Sequence, residues 1–234
     1  MGNIFKFKQF EIDQSGCAMK VNTDGVLLAA TVSHPSPGYI LDIGTGTGVI
    51  ALMMAQRFPD ALIEAVEIDE QAAKTAGNNF KNSVFSARLS INHTAIEQYN
   101  NTRKFDLIVS NPPFFVNDLK SDELRKGIAR HAGEDFFEML VKKSASLLTD
   151  VGKLWLILPV KQANSVIKMA HTHHLFLCER IHIHSDATKP TFRQMICLGR
   201  ENIQPVESDF YIYESFQQYT QAYRLLLKDF FLAF

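Results

Sequence analysis

Asn111, Pro112, Pro113 and Phe114 close an apolar run, Phe105-Asp106-Leu107-Ile108-Val109-Ser110. Such a run fits a buried parallel strand, and open α/β sheets bind ligands at the carboxyl edges of their strands. Proline has a fixed φ and no N–H, so Pro112 offers a rigid carbonyl acceptor. The Asn111 side-chain oxygen and the Pro112 carbonyl can therefore converge on one exocyclic NH₂ group, while Phe114 offers a ring face to a planar base. A plain strand-ending Asn-Pro turn would use the same residues. A second motif separates the two readings.

That motif is Ile40-Leu41-Asp42-Ile43-Gly44-Thr45-Gly46-Thr47-Gly48, a hydrophobic strand entering a glycine-rich turn ahead of a helical stretch. Glycines there let a ligand approach the backbone and the free N–H groups of a helix start. The spacing is G-x-G-x-G, because position 49 is Val rather than Gly. Asp42 would repel a dinucleotide's pyrophosphate and suits a cationic ligand, such as the amino group of an amino-acid moiety. About 20 residues past the glycines, Glu67 closes the next strand, where an acid can take both hydroxyls of a ribose. Ile68 follows it.

The set resembles the Rossmann-like methyltransferases that use S-adenosyl-L-methionine, in the amino-methylating branch marked by Asn-Pro-Pro-aromatic. Residues 17–28 (CAMKVNTDGVLL) and 218–223 (QYTQAY), with the chain length, extend the likeness to the bacterial tRNA1(Val) adenine-N6 methyltransferase family. The resemblance implies N6-methylation of the adenosine immediately 3′ of the anticodon, S-adenosyl-L-methionine as cofactor and tRNA as partner. It implies an α/β, class I fold: a mostly parallel seven-stranded sheet with a reversed last strand and helices on both faces. Carried onto this chain, it gives Asn111, Pro112, Pro113 and Phe114 as the catalytic edge. The cofactor residues are Lys20, Thr23, Asp24, Asp42, Gly44, Thr45, Gly46, Gly48, Glu67, Ile68, Ala95 and Asn111. One departure stands out. Relatives carry an acid after the third strand for the cofactor's adenine amine, and here the stretch reads His93-Thr94-Ala95-Ile96-Glu97, leaving Glu97 or backbone groups near Ala95 for the task. Ribosomal RNA guanine-N2 and release-factor glutamine methyltransferases carry similar edges and are the rival readings. A non-catalytic RNA-binding relic is disfavoured by the intact motifs.

Positioning these residues calls for alternating elements. The patterns predict a hairpin-like flap over 5–12 and a helix over 26–32 capped by Thr23 or Asp24. Then follow strand 39–43, helix 47–58, strand 62–67, helix 70–81, strand 88–92 and strand 105–110. A charged loop over 115–133 precedes a helix opening at Glu134 or Asp135 and ending at Leu148. Strand 153–158, helix 161–172, strand 175–183 and strand 192–199 complete the sheet. The last two share a connection too short for a crossover helix, so they should pair antiparallel. We expect one domain over 1–234, with an N-terminal flap (1–22), a substrate-side loop (115–133) and a C-terminal extension (205–234) packed on it.

The 234 residues are 46% hydrophobic and 21% charged, as in ordinary globular proteins. No apolar run reaches membrane-spanning length and the first residues carry no signal-peptide pattern, so a cytoplasmic protein is expected. Three cysteines without C-x-x-C spacing argue against a disulfide framework or zinc cluster. His182 and His184 would share a strand face, but no third ligand completes a regular spacing, and no metal is expected. No obligate protein partner is evident. A net charge of −1 means that any RNA surface must be local. Arg125 and Arg130 lie in one cationic stretch, and Arg180, Lys189 and Arg193 in a second, cleaner one.

Overall fold

The computed structural model describes residues 3–113 and 123–234, with backbone alone over 123–134. An N-terminal hairpin of β1 (Ile4–Lys6) and β2 (Glu11–Asp13) leads to α1 (Thr23–Thr31). Strands β3 (Tyr39–Ile43), β4 (Leu62–Glu67), β5 (Leu89–His93) and β6 (Phe105–Ser110) follow, with α2 (Val49–Arg57) and α3 (Glu70–Lys81) as crossovers. Next come α4 (Glu123–Leu147), β7 (Leu148–Leu158), α5 (Val160–Ala170), β8 (Phe176–His184) and β9 (Arg193–Gly199). The chain ends with β10 (Val206–Tyr211), the short pair β11 (Tyr213–Ser215) and β12 (Gln218–Tyr219), and α6 (Gln221–Leu227).

The main sheet has eight strands in the order β10-β8-β9-β7-β6-β3-β4-β5. All neighbours run parallel except β9, which is antiparallel to both β7 and β8. From β3 the chain winds outward through β4 and β5, then returns to β6 on the other flank of β3. The order therefore reverses between β3 and β6, where the crossovers diverge to leave a crevice beyond the carboxyl ends. Both chemical motifs follow these two strands.

Local sequence explains the supporting elements. Asp69 caps α3 by accepting from Ala72 N at 2.7 Å. Ala72, Ala73, Ala76 and Phe80 form that helix's buried stripe. Asn22, rather than Thr23 or Asp24, caps α1, its Oδ1 accepting from Gly25 N at 2.9 Å. One apolar layer gathers α1, α2, α3, the hairpin and the C-terminal residues; the other gathers α4 and α5.

Three expectations need correction. The sheet has an eighth strand, because β10 extends the edge by pairing with β8; its residues are mostly exposed, so no apolar run announced it. The reversed strand, β9, is thus not the last to join the sheet. Helix α4 begins at Glu123, inside the stretch expected to be loop. The stretch is charged and weakly periodic, which hid the helix; Gly127 and Gly133 within it each cost only ~1 kcal/mol against Ala, which good helix formers around them offset. Finally, the hairpin is docked: Phe7 and Phe10 are buried, and Phe7 bridges to Phe231 beside the chain's end. The buried Tyr223, Leu227 and Phe230 place the expected C-terminal docking in the same layer.

Candidate active site

A cavity of about 450 Å³ opens at the carboxyl ends of β3, β4, β5 and β6, a size suited to a nucleoside-containing ligand. Gly44, Gly46, Glu67, Ile68, Ala95, Asn111, Pro112 and Pro113 all lie on its wall. The fold thus brings the glycine loop, the strand-ending acid and the amide-proline edge together across more than 60 residues of chain.

The loop is built for close approach. Gly44 and Gly46 have φ of +72° and +55°, and a Cβ at either would meet nothing within 4 Å. That open space is a cradle a ligand can fill, in a conformation other residues adopt only under strain. Glu67 stands at its side: Oε2 accepts from Gly46 N at 2.9 Å and Oε1 from Asp69 N at 3.0 Å. Ile68, 68% exposed, and Ile96 give apolar walls near Ala95. Glu97 also reaches the cavity, at the place where the expected adenine-binding acid was missing.

The Asn111-Pro112-Pro113 edge is held from behind. Ser110 Oγ donates to Ile43 O at 2.7 Å, clamping the ends of β6 and β3. The Asn111 amide is oriented by Asn22. Because Asn22 Oδ1 already accepts from Gly25 N, it can only receive a donor from Asn111, whose Nδ2 lies 3.4 Å away. This leaves the Asn111 oxygen as the acceptor. No motif in the sequence marks this contact of Asn22 with a residue 89 positions on.

Several predicted cofactor residues do not line the cavity. Asp42 is wholly buried beneath the loop, its Oδ2 accepting from Thr45 Oγ1 at 2.6 Å and Ala51 N at 3.2 Å. It and Thr45 brace the turn rather than face the cavity. Gly48 caps α2 with φ +86°, and a Cβ there would fall 2.6 Å from a Phe80 ring carbon, so its role is packing. Lys20 is exposed and off the wall, and Thr23 and Asp24 border a different hollow. The neighbouring Cys17, Ala18 and Met19 close the cavity instead. Phe136 on α4 also lines it, a contact between distant elements that no motif in the sequence marks. Phe114 lies outside the described residues, and Arg125 and Arg130 are described by backbone alone, within α4.

The second cationic cluster is largely neutralised. Arg180 sits within β8, 3.8 Å from Glu207, and Arg193 Nε bonds Asp24 at 2.8 Å. Glu207 also meets His182 at 3.2 Å, while Asp209 meets His184 at 2.9 Å. These acids belong to β10, the strand beyond the expected seven. Lys189 is exposed on the β8–β9 connection.

Burial pushes the Asp42 carboxyl up to about 7, against the hydrogen bonds from Thr45 and Ala51 and with a small further push from Glu67. A carboxyl held above its unfolded value stabilises the fold fully below about pH 4, and that contribution is lost as pH rises through about 7. Asp42→Asn should therefore flatten the fall in urea midpoint between these values. Parallel pH curves for the variant and the parent would rule this out.

Residues 17–179 match the methyltransferase small domain family. The chain is 56% identical over 234 residues, and all of both chains, to the tRNA1(Val) (adenine(37)-N6)-methyltransferase of Pedobacter heparinus. It is 38% identical to the protein of that name from Actinobacillus pleuropneumoniae serotype 7, over 97% of each chain. Among solved structures, a predicted O-methyltransferase from Agrobacterium tumefaciens superposes with a TM-score of 0.70 at 17% identity, covering 88% of this chain and 96% of that one. That similarity reports the fold alone. With the glycine cradle and the Asn-Pro-Pro edge on one cavity wall and the likeness running the full length, the chain belongs to the tRNA1(Val) (adenine(37)-N6)-methyltransferase family.

Proposed function

We propose that this protein methylates N6 of the adenosine immediately 3′ of the anticodon in tRNA1(Val), using S-adenosyl-L-methionine in the cytoplasm. One observation carries the reading: Asn111 and Pro112 stand on the same cavity wall as the Gly44–Gly46 cradle and Glu67. The cradle's open space fits the cofactor, and Glu67 is placed to accept hydrogen bonds from ribose hydroxyls. When bound, the cofactor supplies an electrophilic methyl group on a sulfonium.

The chain's own part is orientation. An adenine amine is a weak nucleophile because its lone pair delocalises into the ring. With the amide turned by Asn22, the Asn111 oxygen and the Pro112 carbonyl accept the amine's two hydrogens and free the lone pair for in-line attack. The proton leaves after methyl transfer, so no strong base is required. The base must first leave its stack, and Phe136 adds an aromatic wall to the cavity it enters. Among the described residues, no helix is long and apolar enough to cross a membrane, which accords with action on the soluble tRNA pool.

The experiment is nucleoside mass analysis of tRNA from a strain lacking the protein, paired with methylation of transcribed tRNA1(Val) by purified protein. Loss of N6-methyladenosine beside the anticodon, restored in vitro, is expected. Methyl transfer to ribosomal guanosine or to a release-factor glutamine, with every tRNA ignored, would overturn the substrate.

A further inference from the structure

We propose that the sheet edge formed by the carboxyl ends of β8 and β10 and the amino end of β9 holds a second RNA subsite, a hollow that takes an unpaired base flanking the target adenosine. The inference rests on the tRNA reading above and extends it to a site outside the cofactor cavity. The hollow, about 390 Å³, is bordered by Asn22, Asp24, Ser185, Phe192, Ile212 and Tyr213.

Its place in the fold is the first argument. Phe192 immediately precedes the reversed strand β9, Ser185 follows β8, and Ile212 follows β10. All three therefore stand at the same sheet edge as Asn111, which follows β6. In the strand order, β9 and β8 lie two and three places from β6, roughly 10–15 Å at the usual strand spacing. A short single-stranded segment with one base in the catalytic cavity can reach that far. Asn22 joins the two sites physically, bordering the hollow while its Oδ1 receives the Asn111 amide at 3.4 Å.

Its chemistry is the second argument. Phe192 is 38% exposed, and the Arg193 guanidinium lies 5.5 Å from its ring centroid. The Arg193–Asp24 bond at 2.8 Å anchors that guanidinium, so ring and cation form a preset platform. The walls are tethered as well: Ile212 N donates to His184 O at 3.1 Å and Tyr213 N to Ser185 O at 2.8 Å. Aromatic and guanidinium planes at a polar edge suit a nucleobase, and unpaired loop bases are what proteins stack in this way. Lys189, exposed on the same connection, supplies charge for an adjoining phosphate.

The test uses the full chain with transcribed tRNA1(Val), following tRNA affinity by fluorescence anisotropy and cofactor affinity by calorimetry. Phe192→Ala should raise the Kd for tRNA about 5- to 100-fold, the span of one lost base–aromatic stack, and Phe192→Trp should restore it to within about twofold. The Kd for S-adenosyl-L-methionine should stay unchanged. Wild-type protein should lose comparable affinity for tRNA carrying an abasic site at one nucleotide flanking the target. On that RNA, Phe192→Ala should lose nothing further. Should Phe192→Ala melt below the assay temperature, Phe192→Leu keeps apolar bulk without a π face and takes its place. Wild-type tRNA binding by the variant, or fully additive losses with the abasic RNA, would overturn the subsite. A wild-type protein that methylates no tRNA would instead overturn the functional reading, so the two failures are distinguishable.

Discussion

Asn111→Ala should cut methyl transfer to tRNA by roughly 10²-fold or more while leaving the affinity for S-adenosyl-L-methionine nearly unchanged. The asymmetry follows from geometry. On the proposed reading, cofactor affinity would rest mainly on the Gly44–Gly46 cradle and Glu67, which are joined by the Gly46 N–Glu67 bond. In the proposed mechanism the Asn111 oxygen acts only once a base is present, when it would accept one amine hydrogen beside the Pro112 carbonyl. Removing it leaves the lone pair delocalised and the base free to rotate. Single-turnover methylation with both ligands saturating isolates this step from binding. Near-normal turnover by the variant would exclude the orientation mechanism.

The second large effect lies in the glycine loop, where two nearby glycines should fail in opposite ways. Gly46→Val places a branched side chain in the cradle, where a Cβ meets no protein atom within 4 Å. The fold should therefore survive, at a cost of about 1–3 kcal/mol for a non-glycine residue at positive φ, while calorimetry should detect no cofactor binding. Gly48→Ala puts its methyl 2.6 Å from the buried Phe80 ring, again at positive φ. Overpacking of this kind costs typically 1–3 kcal/mol, so the melting temperature should fall while cofactor affinity, measured below it, persists. Normal binding by Gly46→Val, or binding lost in Gly48→Ala at an unchanged melting temperature, would contradict the division of roles.

The same loop shows what a linear motif conveys and what it withholds. G-x-G-x-G between a strand and a helix states that the backbone turns through positive φ near a ligand. It does not state which glycine would face a ligand and which faces a neighbouring helix, because Phe80 reaches Gly48 only when α3 docks beside the loop. Asp42 carries the same ambiguity. A carboxylate beside a glycine turn is equally placed to meet a ligand or to brace the turn, and only its burial beneath Thr45 and Ala51 decides for the brace.

The sequence by itself determined the alternating α/β architecture, the antiparallel pairing of β8 with β9, and the two motifs whose union defines the chemistry. These are local quantities: apolar periodicity, turn chemistry and connection length act over a few residues and survive in one dimension. Only the tertiary structure decided that Asn22 turns the Asn111 amide, that Cys17 to Met19 rather than Lys20 close the cavity, and that Glu207 of β10 faces Arg180 while Asp24 pairs with Arg193. Asn22 and Asn111 are 89 residues apart, and Arg193 and Asp24 are 169. Side chains so far apart in the chain are brought together by the order of strands in the sheet, and no local pattern records that order.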